Sequence, residues 1–347
     1  MPNRLPSAID LFCGCGGVTY GLKSAGFEVI GAIELDPVAA ATYRLNHIEE
    51  RRQPIDLITD DIRKVNPIRW RERFGLLPGE LSLLAGCPPC QGFSTLRTLN
   101  GSRQNRDRRN GLVRQMLKFA RAFLPQAIMM ENVPDLQNRQ VFIEFVEGLK
   151  SIGYSVAHDV KDVKFFGVPQ RRRRLVLVAG LDREIPFAAP TTQLQTVRQA
   201  ISSLKPAGRS GDALHDFPEI RSEKVRRLIS LIPKNGGSRN DLPASEQLPC
   251  HRRCDGFKDI YGRIAWDNVA PTITTGCFNP SKGRFLHPDE DRNITMREAA
   301  LLQSFPDDFI VPIGTTKTAI AAMVGNALPP EFIRRQSVVI KETLIGQ

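Results

Sequence analysis

The chain of 347 residues predicts an α/β fold: a doubly wound, mostly parallel sheet with a second, smaller irregular domain. Two observations carry that prediction, and the length agrees with it. Short apolar runs alternate with helical stretches through about residue 180, the rhythm of parallel strands covered by helices. From about residue 183 the rhythm stops, and segments such as PFAAPTTQLQTV and PKNGGSRNDLPASEQLP are rich in Pro, Gly, Ser and polar groups. A chain of this length is also long for one ordinary core.

AIDLF (8–12) reads as the first strand, VTYGLKSAG (18–26) as a helix and VIGAIE (29–34) as the second strand. VAAATYRLNH has helical spacing, and a third strand is expected in DLITDDI. LSLLAG (81–86), QAIMMENV (126–133) and RLVLVAG (174–180) are further strands, separated by helical GLVRQMLKFARAFL and QVFIEFVEGLKSIG. The irregular part holds one expected helix near SEKVRRLISLI, and MVGNALPPEFIRRQSVVIKETLI reads as a turn followed by a helix. The expected domains are therefore 1–182, 183–296 and a return segment, 297–347, that completes the first. In sheets of this kind ligands bind beyond the carboxyl ends of the strands.

Composition excludes several classes. No apolar run reaches the roughly 18 residues of a membrane span, and the N-terminus lacks a signal core, so a cytoplasmic protein with no membrane partner is expected. An odd count of seven cysteines argues against a disulfide framework. A net charge of +11 points to a polyanionic partner, with arginines crowded at Arg97, Arg103, Arg106, Arg108 and Arg109 and unbroken from Arg171 to Arg174. A merely solvated basic face is the alternative.

FCGCGG follows the first strand and opens a helix. The dinucleotide fingerprint G-x-G-x-x-G begins at Gly14 and Gly16 but fails at Thr19, and no Walker lysine is present. Glu34 ends the second strand, where a carboxylate can bind ribose hydroxyls. Asp61 follows the third strand within reach of an adenine amino group. A glycine turn, a ribose acid and a third-strand acid fit an adenosine cofactor without pyrophosphate, S-adenosyl-L-methionine above all. A plain strand-to-helix turn is the other reading of Gly14, Gly16 and Gly17.

Cys87 and Cys90 lie three apart in LLAGCPPCQGFS. A redox pair should open a helix, and the segment after Cys90 is instead polar and basic. A zinc site would need Cys250, His251 and Cys254, whose spacing matches no common finger. Pro88 and Pro89 cannot extend a central strand and so stiffen an exit that presents Cys90. Glu131 ends an apolar strand, where a bare acid is costly unless bonded or functional. Arg172 and Arg174 precede the next strand and share one face if the chain is already extended there. A cysteine, an acid and two arginines at strand ends suit activation of a base. A simple Glu131–arginine ion pair remains open on spacing alone.

Taken together these residues resemble the DNA (cytosine-5)-methyltransferase family of prokaryotic type. DLFCGCGG and GAIELDP are similar to its first two cofactor motifs, DDI to the third, GCPPCQGFS to the catalytic Pro-Cys motif, MENVP to the Glu-Asn-Val motif and QRRRR to Gln-x-Arg-x-Arg. ITMREAALLQSFPDDF and VGNALPP resemble the last two, in family order, so the likeness runs from residue 8 to about 330.

The resemblance implies a Rossmann-like S-adenosylmethionine-dependent fold and places the target-recognition domain in the irregular part. It implies Cys90 as nucleophile, with Cys87 structural, and Glu131 bonding cytosine N3 and its amino group. It implies that Arg172 and Arg174 orient Glu131 and meet the base carbonyl, and that Pro89, Gln91, Ser94 and Asn132 line the pocket or touch DNA. On the cofactor it implies Phe12, Gly14, Gly16, Gly17, Glu34, Asp61, Ile62 and Asn326, with no metal. By its own glycines and arginines the basic stretch TLRTLNGSRQNRDRRNG suits a lid closing on DNA phosphates, with an ordinary disordered basic loop as the alternative. Double-stranded DNA and a monomeric state are the expected associations, with a role either beside a cognate restriction endonuclease or as an orphan methylase. A tRNA methylase of the same chemistry, a catalytically silent DNA-binding relative and a zinc-stabilised binding module are the competing readings.

Overall fold

In a computed structural model of the protein, the described residues are 5–49, 54–89, 111–243, 245–247 and 259–346. Two compact units result. Unit 1 comprises Met1–Val163, Arg173–Pro190 and Leu328–Gln347; unit 2 comprises Lys164–Arg172 and Thr191–Ala327. These bounds differ from the division expected at 183 and 297. Residues 297–327 cluster with unit 2, where helix α8 (Met296–Leu302) packs on α6 (Val197–Ile201) and α9 (Lys317–Asn326).

Unit 1 is built on a seven-stranded sheet: β1 (Ser7–Leu11), β2 (Glu28–Ile33), β3 (Asp56–Ile58), β4 (Leu83–Gly86), β5 (Ala127–Asn132), β6 (Tyr154–Asp162) and β7 (Arg173–Leu181), in the order β3-β2-β1-β4-β5-β7-β6. β1 to β5 run parallel, and β7 is antiparallel to both β5 and β6. The six strands expected from apolar runs are all present. The seventh, β6, lies at the sheet edge with most side chains half-buried or exposed, so it carried no apolar run to betray it.

The helices of unit 1 are α1 (Gly17–Ser24), α2 (Pro37–Arg44), α3 (Pro67–Arg73), α4 (Leu112–Phe123), α5 (Gln140–Lys150) and α10 (Pro330–Ile345). α4 buries Val113, Met116, Phe119, Ala120 and Phe123, apolar at helical spacing, against the rings of Trp70 and its neighbours. Each such large side chain contributes about 1.5–3 kcal/mol on burial. α1 packs on α10, where Gly21 leaves no room for a side chain beside Ile333. The last twenty residues therefore complete unit 1.

In unit 2, helix α7 (Glu223–Leu231) buries Leu228 and Ile229 in a small cluster with Ile232, Leu242, Tyr261 and Leu286. Arg263 is wholly buried within this unit. Its guanidinium donates to the carbonyls of Ile229, Ile232, His287 and Glu290 and to Asp291. One planar fork thus replaces the ladder that a sheet would supply, consistent with the irregularity read from the sequence.

Candidate active site

The parallel register places the ends of β1, β2, β4 and β5 together: Leu11 pairs with Ile33 and Gly86, and Gly86 pairs with Met130. The residues next in sequence are the candidates. After β1 the chain takes a left-handed turn, with positive φ at Phe12 (62°), Gly14 (54°) and Gly16 (96°). Phe12, lacking glycine's freedom, holds this conformation at a cost of about 1–2 kcal/mol. Glycine is required at Gly16, because a Cβ there would fall 2.0 Å from His47 Nε2. At Gly14 a Cβ would meet nothing within 4 Å, so this side of the turn is open.

The Gly14 N–H donates to Glu34 Oε2 at 2.8 Å, and the Asp36 N–H to Glu34 Oε1 at 2.7 Å. Burial raises the Glu34 carboxyl above its ordinary value, against those two donors. Phe12 lies partly buried against the core, Gly17 opens α1, and the Ile62 side chain is packed in the core. Asp61 caps a short 3-10 turn, and Arg63 binds both of its oxygens, holding its pKa down. The open face at Gly14, the half-buried acid at Glu34 and the apolar ring of Phe12 fit a ligand with ribose hydroxyls and a flat base.

At the second centre, Glu131 is the penultimate residue of β5 and is 9% exposed. Arg174 Nε lies 2.6 Å from Glu131 Oε1. Strand pairing sets Asn132 opposite Leu175, so Arg174 stands one residue beyond that pair, on the strand flanking the acid. Asn132 Nδ2 donates to the Pro88 carbonyl at 2.8 Å, and its Oδ1 accepts from the Val133 N–H. β5 therefore grips the Pro88–Pro89 exit of β4. Cys87 is half-buried beside Glu131, and burial with that carboxylate pushes its thiol well above the ordinary range. A thiol so raised is a poor nucleophile. Cys90, Gln91, Ser94 and the lid segment through Asn110 lie outside the described residues, as do Cys250, His251 and Cys254.

The two arginines divide. Arg172 precedes β7, is buried, and donates to the carbonyls of Ile273 and Gly325, all within unit 2. Spacing suggests that the two could share one face; in the structure β7 begins at Arg173, and Arg174 is the one paired with the acid, while Arg172 bonds backbone. In unit 2, Gln170 of the same motif donates to Gln303 Oε1, and Gln303 Nε2 donates to the Val324 carbonyl. Asn326, the last residue of α9, is exposed. Sequence reasoning missed Gln303 and also Asp10, a fully buried acid in β1. Its signal was present, since an acid inside the apolar run AIDLF needs a reason.

The chain is 36% identical over 98% of its length, and 96% of the relative's, to the Type II methylase M.HgiDII of Herpetosiphon aurantiacus. It is 32% identical to the Type II methyltransferase M1.HphI of Haemophilus parahaemolyticus, covering 93% of this chain and 83% of that one. In fold it is similar to a putative DNA modification methyltransferase of an E. coli prophage, with a TM-score of 0.73 at 20% identity, covering 98% of this chain and 99% of that one. The S. pombe Dnmt2 methyltransferase superposes with a TM-score of 0.65 at 19% identity, over 99% of this chain and 100% of that one. With a family model matching residues 7–342, this chain belongs to the C-5 cytosine-specific DNA methylases.

Proposed function

We propose that this methyltransferase takes its methyl group from S-adenosyl-L-methionine and modifies C5 of one cytosine in a specific duplex sequence, through a Cys90 adduct at C6. The Glu131–Arg174 pair at 2.6 Å, at the end of β5, carries the reading. Cytosine C5 is a poor nucleophile. Addition of a Cys90 thiolate at C6 breaks the aromaticity and makes C5 an enamine carbon. Glu131 draws charge off the ring by sharing a proton at N3, and Arg174 holds that carboxyl in place and faces the base carbonyl. The Asn132–Pro88 bond fixes where the chain leaves β4 two residues before Cys90. The base must leave the duplex to reach these groups, at a cost of a few kcal/mol.

Phe12, Glu34 and the open side of Gly14 would hold the cofactor, which when bound supplies an electrophilic methyl on a sulfonium. Loss of the C5 proton to a base and departure of Cys90 complete the cycle. A restriction endonuclease cutting the same sequence is the expected partner, as the Type II names of the relatives suggest. Cytoplasmic action follows from DNA as substrate; no helix among the described residues is long and apolar enough to cross a membrane.

The test is transfer from radiolabelled S-adenosylmethionine to unmethylated genomic DNA and, separately, to total tRNA, with nucleoside analysis. Label in 5-methylcytosine of DNA is expected, absent from Cys90→Ala and largely retained in Cys87→Ala. Label confined to tRNA, or a Cys90→Ala protein that still methylates, would overturn the proposal.

A further inference from the structure

Beneath the glycine turn of unit 1 lies a buried polar chain that the mechanism above does not use. Asp10 is fully buried in β1. Its Oδ2 accepts from Thr19 Oγ1 of α1 at 2.7 Å, and the Thr19 hydroxyl meets Tyr43 Oη of α2 at 2.9 Å. Asp10 Oδ1 is buried with no hydrogen-bond partner among the described residues. Thr19 stands where the dinucleotide fingerprint would place glycine for close helix–strand packing. Here a hydroxyl ties helix to strand instead.

What the chain spans is informative. Asp10 precedes the turn and Thr19 follows it, so their bond closes a loop around Phe12, Gly14 and Gly16, the three residues with positive φ. Tyr43 braces the closure from α2, and the next residues of that segment bring His47 against Gly16. A strained turn persists only where its surroundings over-determine it. The Gly14 N–H reaches Glu34 only if the turn keeps this shape.

We propose that Thr19 and Tyr43, acting through Asp10, are positioning residues for cofactor binding: they hold the glycine turn in the shape that presents Gly14 and Glu34. The proposal rests on the reading of that turn as the cofactor site. It accounts for a buried acid in β1 and for a threonine where a tighter fold would need glycine.

Isothermal titration with S-adenosylhomocysteine tests it without catalysis, alongside thermal unfolding of each protein. Thr19→Val keeps the shape and removes the hydroxyl, and Thr19→Ser keeps the hydroxyl. Affinity is expected to fall about tenfold or more in Thr19→Val and several-fold in Tyr43→Phe, with Thr19→Ser within about twofold of the unaltered protein. Wild-type affinity in Thr19→Val and Tyr43→Phe, whatever their unfolding temperatures, would overturn the proposal. So would equal loss in Thr19→Ser and Thr19→Val. If Thr19→Val does not fold, Tyr43→Phe decides alone. An unaltered protein that does not bind S-adenosylhomocysteine would instead refute the cofactor reading.

Discussion

Glu131 holds its place in an apolar strand because Arg174 compensates a carboxylate that burial would otherwise penalise. Glu131→Gln keeps the size and removes the charge that pairs with Arg174. Single-turnover methylation should fall by about 10²-fold or more, the usual scale of a lost general acid. Affinity for S-adenosylhomocysteine should be unchanged, because Glu131 is not among the residues assigned to the cofactor. Near-normal turnover would reduce Glu131 to an ion-pair partner. Asp10 is a different kind of acid: burial raises its pKa from 3.8 to about 7, Thr19 opposes the shift, and the nearby Glu34 adds to it. The folded protein therefore holds this proton more tightly than the unfolded chain. Its contribution to stability is full below pH 4 and is lost as pH rises towards 7. Urea unfolding across pH 4–8 should show a falling component on the order of a few kcal/mol. Asp10→Asn, neutral throughout, should lack it; an unchanged pH dependence would show that Asp10 ionises normally.

At the scale of elements, the decisive unit is strand, turn and helix. β1 delivers the chain into a turn whose shape depends on Gly16, backed by His47 in the π-helical segment Leu45–Glu49. Gly16→Ala should cost at least tenfold in S-adenosylhomocysteine affinity, because a methyl group must displace a buried ring and φ of 96° strains any L residue. A titration matching the unaltered protein would mean that the turn does not face the cofactor. β7 is equally instructive. Its antiparallel pairing to β5 brings Arg174 to the acid, while Arg172, two residues earlier, anchors backbone in unit 2. A single motif thus serves two compact units, and spacing in a sequence does not show which arginine meets the acid.

For the whole molecule, +11 of net charge bears on DNA affinity more than on fold. Neutralising phosphates releases counterions, so affinity falls steeply with salt. A protein touching about six phosphates loses about 10³-fold between roughly 50 and 200 mM salt. Fluorescence anisotropy with a duplex should give a slope of that order on a log–log plot. A flat response would mean that the basic residues face elsewhere.

The sequence by itself determined the alternation of strands and helices, the acids at the strand ends, the glycine turn and the family. Those features are local: apolar periodicity, turn chemistry and motif spacing are all written over a few residues. Tertiary structure decided the rest. β6 hides in the sequence because an edge strand with exposed faces needs no apolar run. Residues 297–327 join unit 2 because α8 finds its packing partners there. Only the folded chain tells Arg172 from Arg174, and only there do Asp10, Thr19 and Tyr43 meet, from β1, α1 and α2. Such partnerships join residues distant along the chain, and side-chain direction in three dimensions settles them.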